Sequence, residues 1–146
     1  MATQKQAIGN LVKILRDWQK IEDESVRNST EIIKKTENPL IHLVMEIIRQ
    51  DSAMHKRVQQ LIIDHYEKNP ISVTPVELLS FWNMLEEHEK IEKQTITLAK
   101  GAMNETTSSL VKYLLEYLMT DEKKHDMLLS EMEKIKKGIY PYGEIL

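Results

Sequence analysis

Asp51 and His55 recur seventy residues later as Asp121 and His125, and each pair interrupts an apolar stripe that only a helix makes continuous. Val44, Ile48, Asp51, His55, Val58 and Ile62 step by 4, 3, 4, 3 and 4, and Leu114, Leu118, Asp121, His125, Leu128 and Met132 step the same way. Residues four apart share a helix face. Carboxylate and imidazole therefore stand one turn apart on a stripe where core side chains are expected. Burying an unpartnered polar group costs on the order of 2 to 7 kcal/mol, and a charge more, unless something compensates. A metal ion compensates; a buried hydrogen bond within each Asp–His pair is the plainer alternative.

The chain is short enough for one domain, residues 1–146, and long enough to bury a core. Hydrophobic residues make up 41% and charged residues 29%, with four Gly and four Pro, which predicts an all-α protein and excludes disorder. Twenty basic residues against twenty-three acidic ones leave no excess to grip a phosphate backbone, so nucleic acid is not an expected partner. Without cysteine there is no disulfide framework, thiol chemistry or thiolate-bound iron. Any metal must be held by nitrogen and oxygen. The polar start and the lack of an apolar run near the roughly 20 residues of a membrane span place the protein in the cytoplasm, away from membranes.

Helix signals divide the chain into four. A first helix over about 7–36 carries Ile8, Leu11, Leu15 and Trp18, a stripe that continues through Glu22, Ser25, Ser29 and Ile32. Asn38-Pro39 reads as an N-cap with Pro at the first helical position, opening a second helix over about 39–68. Thr74-Pro75-Val76-Glu77 has the spacing of a capping box and opens a third, over about 75–101. That helix carries Leu78, Trp82, Leu85, Glu89, Ile96 and Ala99 on one side, with Glu86 beside them. After a polar turn a fourth helix runs over about 109–137, and residues 138–146 form an irregular tail. The short connections make two antiparallel hairpins joined by a crossover, a four-helix bundle.

The hairpins read as repeats. Helices two and four align at an offset of seventy, including Glu46 with Glu116, which point away from the histidines. Helices one and three share Trp18-x-x-x-Glu22 and Trp82-x-x-x-Glu86 at an offset of sixty-four. At a rise of about 1.5 Å per residue, Glu22 is level with Asp51 and His55, and Glu86 and Glu89 are level with Asp121 and His125. Two histidines and several carboxylates without sulfur favour iron or manganese over zinc or calcium.

In these residues the chain resembles the ferritin-like superfamily, and within it the rubrerythrin-like branch without its rubredoxin domain. That pattern takes one Glu from the first helix, Glu-x-x-His from the second, one or two Glu from the third, and Glu-x-x-His from the fourth. Glu122-Lys-Lys-His125 matches the fourth-helix motif, Glu22 with Ser25 is similar to the first-helix segment, and Glu86 with Glu89 to the third. The second helix departs, with His55 in place but Ser52 where a bridging Glu is expected, leaving Asp51 as the nearby carboxylate. The resemblance implies a centre of two metal ions, iron first and manganese or zinc as substitutes. Its ligands would be Glu22, Asp51, His55, Glu86, Glu89, Asp121, Glu122 and His125. It implies reaction with peroxide or dioxygen, or oxidation of Fe(II), and without cysteine a peroxidase cycle needs a separate electron donor. Pairing of two copies is left open.

The competing expectation is a four-helix interaction protein that keeps the fold without metal or redox activity. Ser52 and the abundant Lys and Glu support it.

Overall fold

The computed structural model describes residues 2–136, and among these it contains four α-helices and no strand. They are α1 (Gln4–Lys35), α2 (Pro39–Glu67), α3 (Pro75–Asn104) and α4 (Ser109–Lys136). The end of the last helix at residue 137 and the tail lie outside the described residues. The helix starts follow the local chemistry. Asn38 Oδ1 accepts from the backbone N–H groups of Leu40 at 2.9 Å and Ile41 at 3.3 Å, with Pro39 at the first helical position. Thr74 and Glu77 close a reciprocal capping box, at 3.2 and 2.7 Å, and Thr3 with Gln6 closes another. Gly101, expected at the end of α3, lies inside it with open space around it, and the helix runs on to Asn104. Among the described residues no helix is long and apolar enough to cross a membrane.

The chain divides into two compact units, Met1–Pro70 and Ile71–Leu146. In the first, α1 packs on α2. Arg16 pairs with Glu67, Gln19 with Gln60 at 3.0 Å, Asp23 with Lys56 at 2.7 Å and Ser25 with Ser52 at 2.8 Å. One number rises as the other falls, so the two helices run antiparallel. Val12, Leu15 and Ile63 form the apolar core, with Ile8, Ile62 and Tyr66 against it. The line then turns polar, with Gln19, Glu22 and Ser29 buried on α1 and Ser52 and Gln59 on α2.

The packed faces are turned by one residue from the expected stripes. Trp18 is 50% exposed and Gln19 only 9%, while on α2 the buried positions are Ser52, Gln59 and Ile63 rather than Asp51, Val58 and Ile62. One residue is a rotation of about 100°, and the small or polar side chains lie where the two helices meet. His55 consequently sits beside the buried line with its side chain half exposed.

In the second unit α3 packs on α4, again with one number rising as the other falls, Glu92 against His125 and Thr95 against Glu122. Leu78, Trp82, Glu92 and Ala99 are the buried residues of α3. Trp82 donates its indole N–H to Glu86 at 2.8 Å.

Candidate metal centre

Glu92 is the residue around which the second unit's polar chemistry gathers. It is 6% exposed, in a helix whose other buried residues are Leu78, Trp82 and Ala99. Its Oε1 lies 2.9 Å from His88 Nε2 and 3.3 Å from His125 Nδ1. Oε2 is buried without a hydrogen-bond partner. Across the helix interface Glu122 Oε2 accepts from the Thr95 hydroxyl at 2.9 Å and lies 3.7 Å from His125 Nδ1. One donor atom each from Glu92, Glu122 and His125 falls within a span of 4.8 Å. The other ring nitrogen of His125 faces Asp121 at 3.6 Å. A groove of about 440 Å³, lined by His88, Glu92, His125, Leu128 and Leu129, opens beside the cluster.

Two carboxylates this close cannot both ionise freely. The hydrogen bond from Glu122 holds Glu92 below its usual value against the cost of burial, aided by His88 and His125. The same contact with Glu92, together with burial, pushes Glu122 above the ordinary carboxylic range although Thr95 pulls it down. The pair thus favours one shared proton. Glu92, with its lowered value, contributes stability that is present above 4.5 and lost as the pH falls through that lowered value. Glu122, with its raised value, contributes stability that is present below 4.5 and lost as the pH rises through the raised value. In chelator, Glu122→Gln keeps this partner neutral throughout. The melting temperature of the variant minus that of the wild type should therefore become more positive between about pH 4 and about pH 7. A flat difference across that range excludes the shared proton.

The first unit carries a matching arrangement at an offset of seventy for all four contributing positions. Glu22, 7% exposed, corresponds to Glu92, Ser25 to Thr95, Ser52 to Glu122 and His55 to His125. His55 Nδ1 lies 3.4 Å from Glu22 Oε1, against 3.3 Å for His125 and Glu92. Ser25 and Ser52 share a hydrogen bond of 2.8 Å, against 2.9 Å for Thr95 and Glu122. Gln59 adds an amide N–H at 3.5 Å from Glu22 Oε1.

This register corrects the offset of sixty-four expected for α1 and α3. Glu92 holds the place that the sequence pattern gives to Glu86 or Glu89. Glu86 is exposed and bonded to Trp82, and Glu89 pairs with Lys93 at 3.4 Å, so neither joins the cluster. Asp51 is partly buried and outside the Glu22–His55 contact, and Asp121 lies on the far nitrogen of His125 and also pairs with Lys124 at 2.8 Å. Glu92 was missed although two signals marked it. It fills the gap in the stripe 78, 82, 85, 89, 96, 99, and it stands seventy residues after Glu22. Compared with family models, curated proteins and solved structures, the chain matches none of them.

Proposed function

We propose that this chain is a metal-binding helical protein of the ferritin-like kind, whose second unit holds a transition-metal ion on Glu92, Glu122 and His125. The observation that carries the reading is the buried, unpartnered Oε2 of Glu92, within a cluster whose three donor atoms lie inside 4.8 Å. A proton shared with Glu122 or a cation would each satisfy that oxygen. Two carboxylates and one imidazole suit iron, manganese or zinc. In the first unit Glu22 and His55 hold the matching places, with Ser52 where the ferritin-like pattern has Glu.

A bound iron or manganese ion supplies the change of oxidation state by which peroxide or dioxygen is reduced or Fe(II) is handled. The chain's own groups have separate tasks. His125 offers Nδ1 toward Glu92 and Glu122. Thr95 fixes one oxygen of Glu122 and His88 one oxygen of Glu92. The groove beside His88 and His125 is open to solvent and leaves the cluster accessible to a small solute. Electrons for repeated turnover come from a separate donor, since the chain has no cysteine to relay them.

Protein purified without chelator and analysed by elemental mass spectrometry should carry about one iron, manganese or zinc per chain from this site. A variant with both Glu92→Ala and His125→Ala should lose that ion while keeping its helicity. A wild-type chain with no ion, and none taken up on titration with Fe(II) or Mn(II), favours the metal-free interaction protein instead.

A further inference from the structure

The two units differ at their matching sites in one donor. In the second, the hydroxyl of Thr95 meets the carboxylate of Glu122; in the first, the hydroxyl of Ser25, at the same place in the repeat, meets the hydroxyl of Ser52. The other two candidate ligands are kept, while His88, which contacts Glu92, is matched by Trp18. Glu22 is buried as Glu92 is, and the histidine Nδ1 stands at nearly the same distance from the buried carboxylate in both.

What compensates the buried carboxylate also differs. The first unit places Gln59 against Glu22, where the second has Leu129, and it leaves Gln59 Oε1 buried and unpartnered. The Gln59 amide N–H donates to Glu22 and His55 Nδ1 stands 3.4 Å from it, so this carboxylate has partners without a second acid or an ion. The second unit has two acids facing each other, an arrangement that needs a proton or a cation between them.

We infer that the first unit retains the ligand frame of the second with a single donor removed, and that the side chain at position 52 decides whether the first unit holds a divalent cation. The inference rests on the metal reading of Glu92, Glu122 and His125. It assigns Ser52 as the residue that sets how many ions the chain carries. Ser52 is 6% exposed and hydrogen-bonded to Ser25, so a carboxylate introduced there starts beside Glu22 and His55 with a hydroxyl already placed to donate to it.

Cobalt(II), whose visible absorption reports nitrogen and oxygen ligation, is the probe, and the full chain is titrated with it. The wild type should take up one ion, and Ser52→Glu should take up two. Adding His55→Ala to Ser52→Glu should return the count to one. In a chain that lacks Glu92 and His125 through alanine substitution, Ser52→Glu should restore one bound ion.

The reciprocal change, Glu122→Ser, gives the second unit the residue with which the first already folds, so it tests the same claim without crowding the first unit. It should weaken cobalt binding by more than the roughly ten- to hundred-fold lost when a merely supporting group is removed. A folded Ser52→Glu chain that still binds one ion overturns the inference and leaves the metal reading standing, and so does undiminished affinity in Glu122→Ser. A wild type that binds none removes the metal reading and this inference with it.

Discussion

An Ile63→Ala variant is expected to lose about 2 to 5 kcal/mol of stability, the range for cutting a buried isoleucine back to its Cβ. Ile63 is 1% exposed and is one of three residues, with Val12 and Leu15, that make up the first unit's buried apolar cluster. Along the same interface the next buried positions are Gln59, Ser52, Gln19, Glu22 and Ser29, none of which contributes much hydrophobic driving force. A loss of this size is a large share of the 5 to 15 kcal/mol that holds an ordinary protein folded. The unit therefore depends on a small apolar end to keep its polar middle ordered. Denaturant unfolding checks this. The midpoint should fall with little change in slope, and a loss below about 1 kcal/mol shows that the apolar cluster is not what holds α1 to α2.

That division between an apolar end and a polar middle explains what could be read from the residues alone. The helices and their starts were legible because caps are local: Asn38-Pro39 and Thr74 with Glu77 act within one turn, whatever packs on them. Glu22 was legible as a buried carboxylate because it shares the line of Leu15 in either rotation of the stripe. The faces were harder, because hydrophobic periodicity assigns the interior to the larger apolar residue. It chose Trp18 over Gln19 and Val58 over Gln59, and in each pair the polar neighbour is the buried one. Where two helices meet through Ser25, Ser29 and Ser52, close approach and hydrogen bonding decide the rotation, and a pattern of apolar residues does not carry that information.

The acidic residues of α3 show the same limit at the site. Four glutamates, Glu86, Glu87, Glu89 and Glu92, stand within seven positions, and the Trp-x-x-x-Glu match drew the alignment to Glu86. The partners on α4 decide among them. Only Glu92 faces both Glu122 and His125 in the metal-competent group, and a contact between residues thirty or so apart is set by the docking of α3 on α4. The repeat at seventy encodes that docking indirectly, since it carries the whole hairpin at once.

Replacing Glu92 with leucine is expected to abolish metal binding and to leave the metal-free chain no more stable than the wild type. Both effects follow from one buried carboxylate. Without a cation it shares a proton with Glu122, which it pushes up in pKa, and its own lowered value marks net stabilisation near neutral pH. Replacing a whole set of buried charges by apolar side chains is often neutral or stabilising, but removing one partner leaves the others unpaired and is destabilising. In chelator, Glu92→Leu should therefore melt no higher than the wild type. With ion in excess the difference should widen. A ligand at about 100 times its dissociation constant adds about 2.7 kcal/mol to the state that binds it, and the variant gains none of it. Glu86→Gln and Glu89→Gln serve as the comparison, because Glu86 is held by Trp82 and Glu89 by Lys93, and both should keep the wild-type response to metal. Paired melting curves with chelator and with Mn(II) read all three variants. If Glu92→Leu still gains stability from the ion, or if Glu86→Gln or Glu89→Gln loses that gain, the ligand is a different glutamate of α3 and the register of seventy does not describe the site.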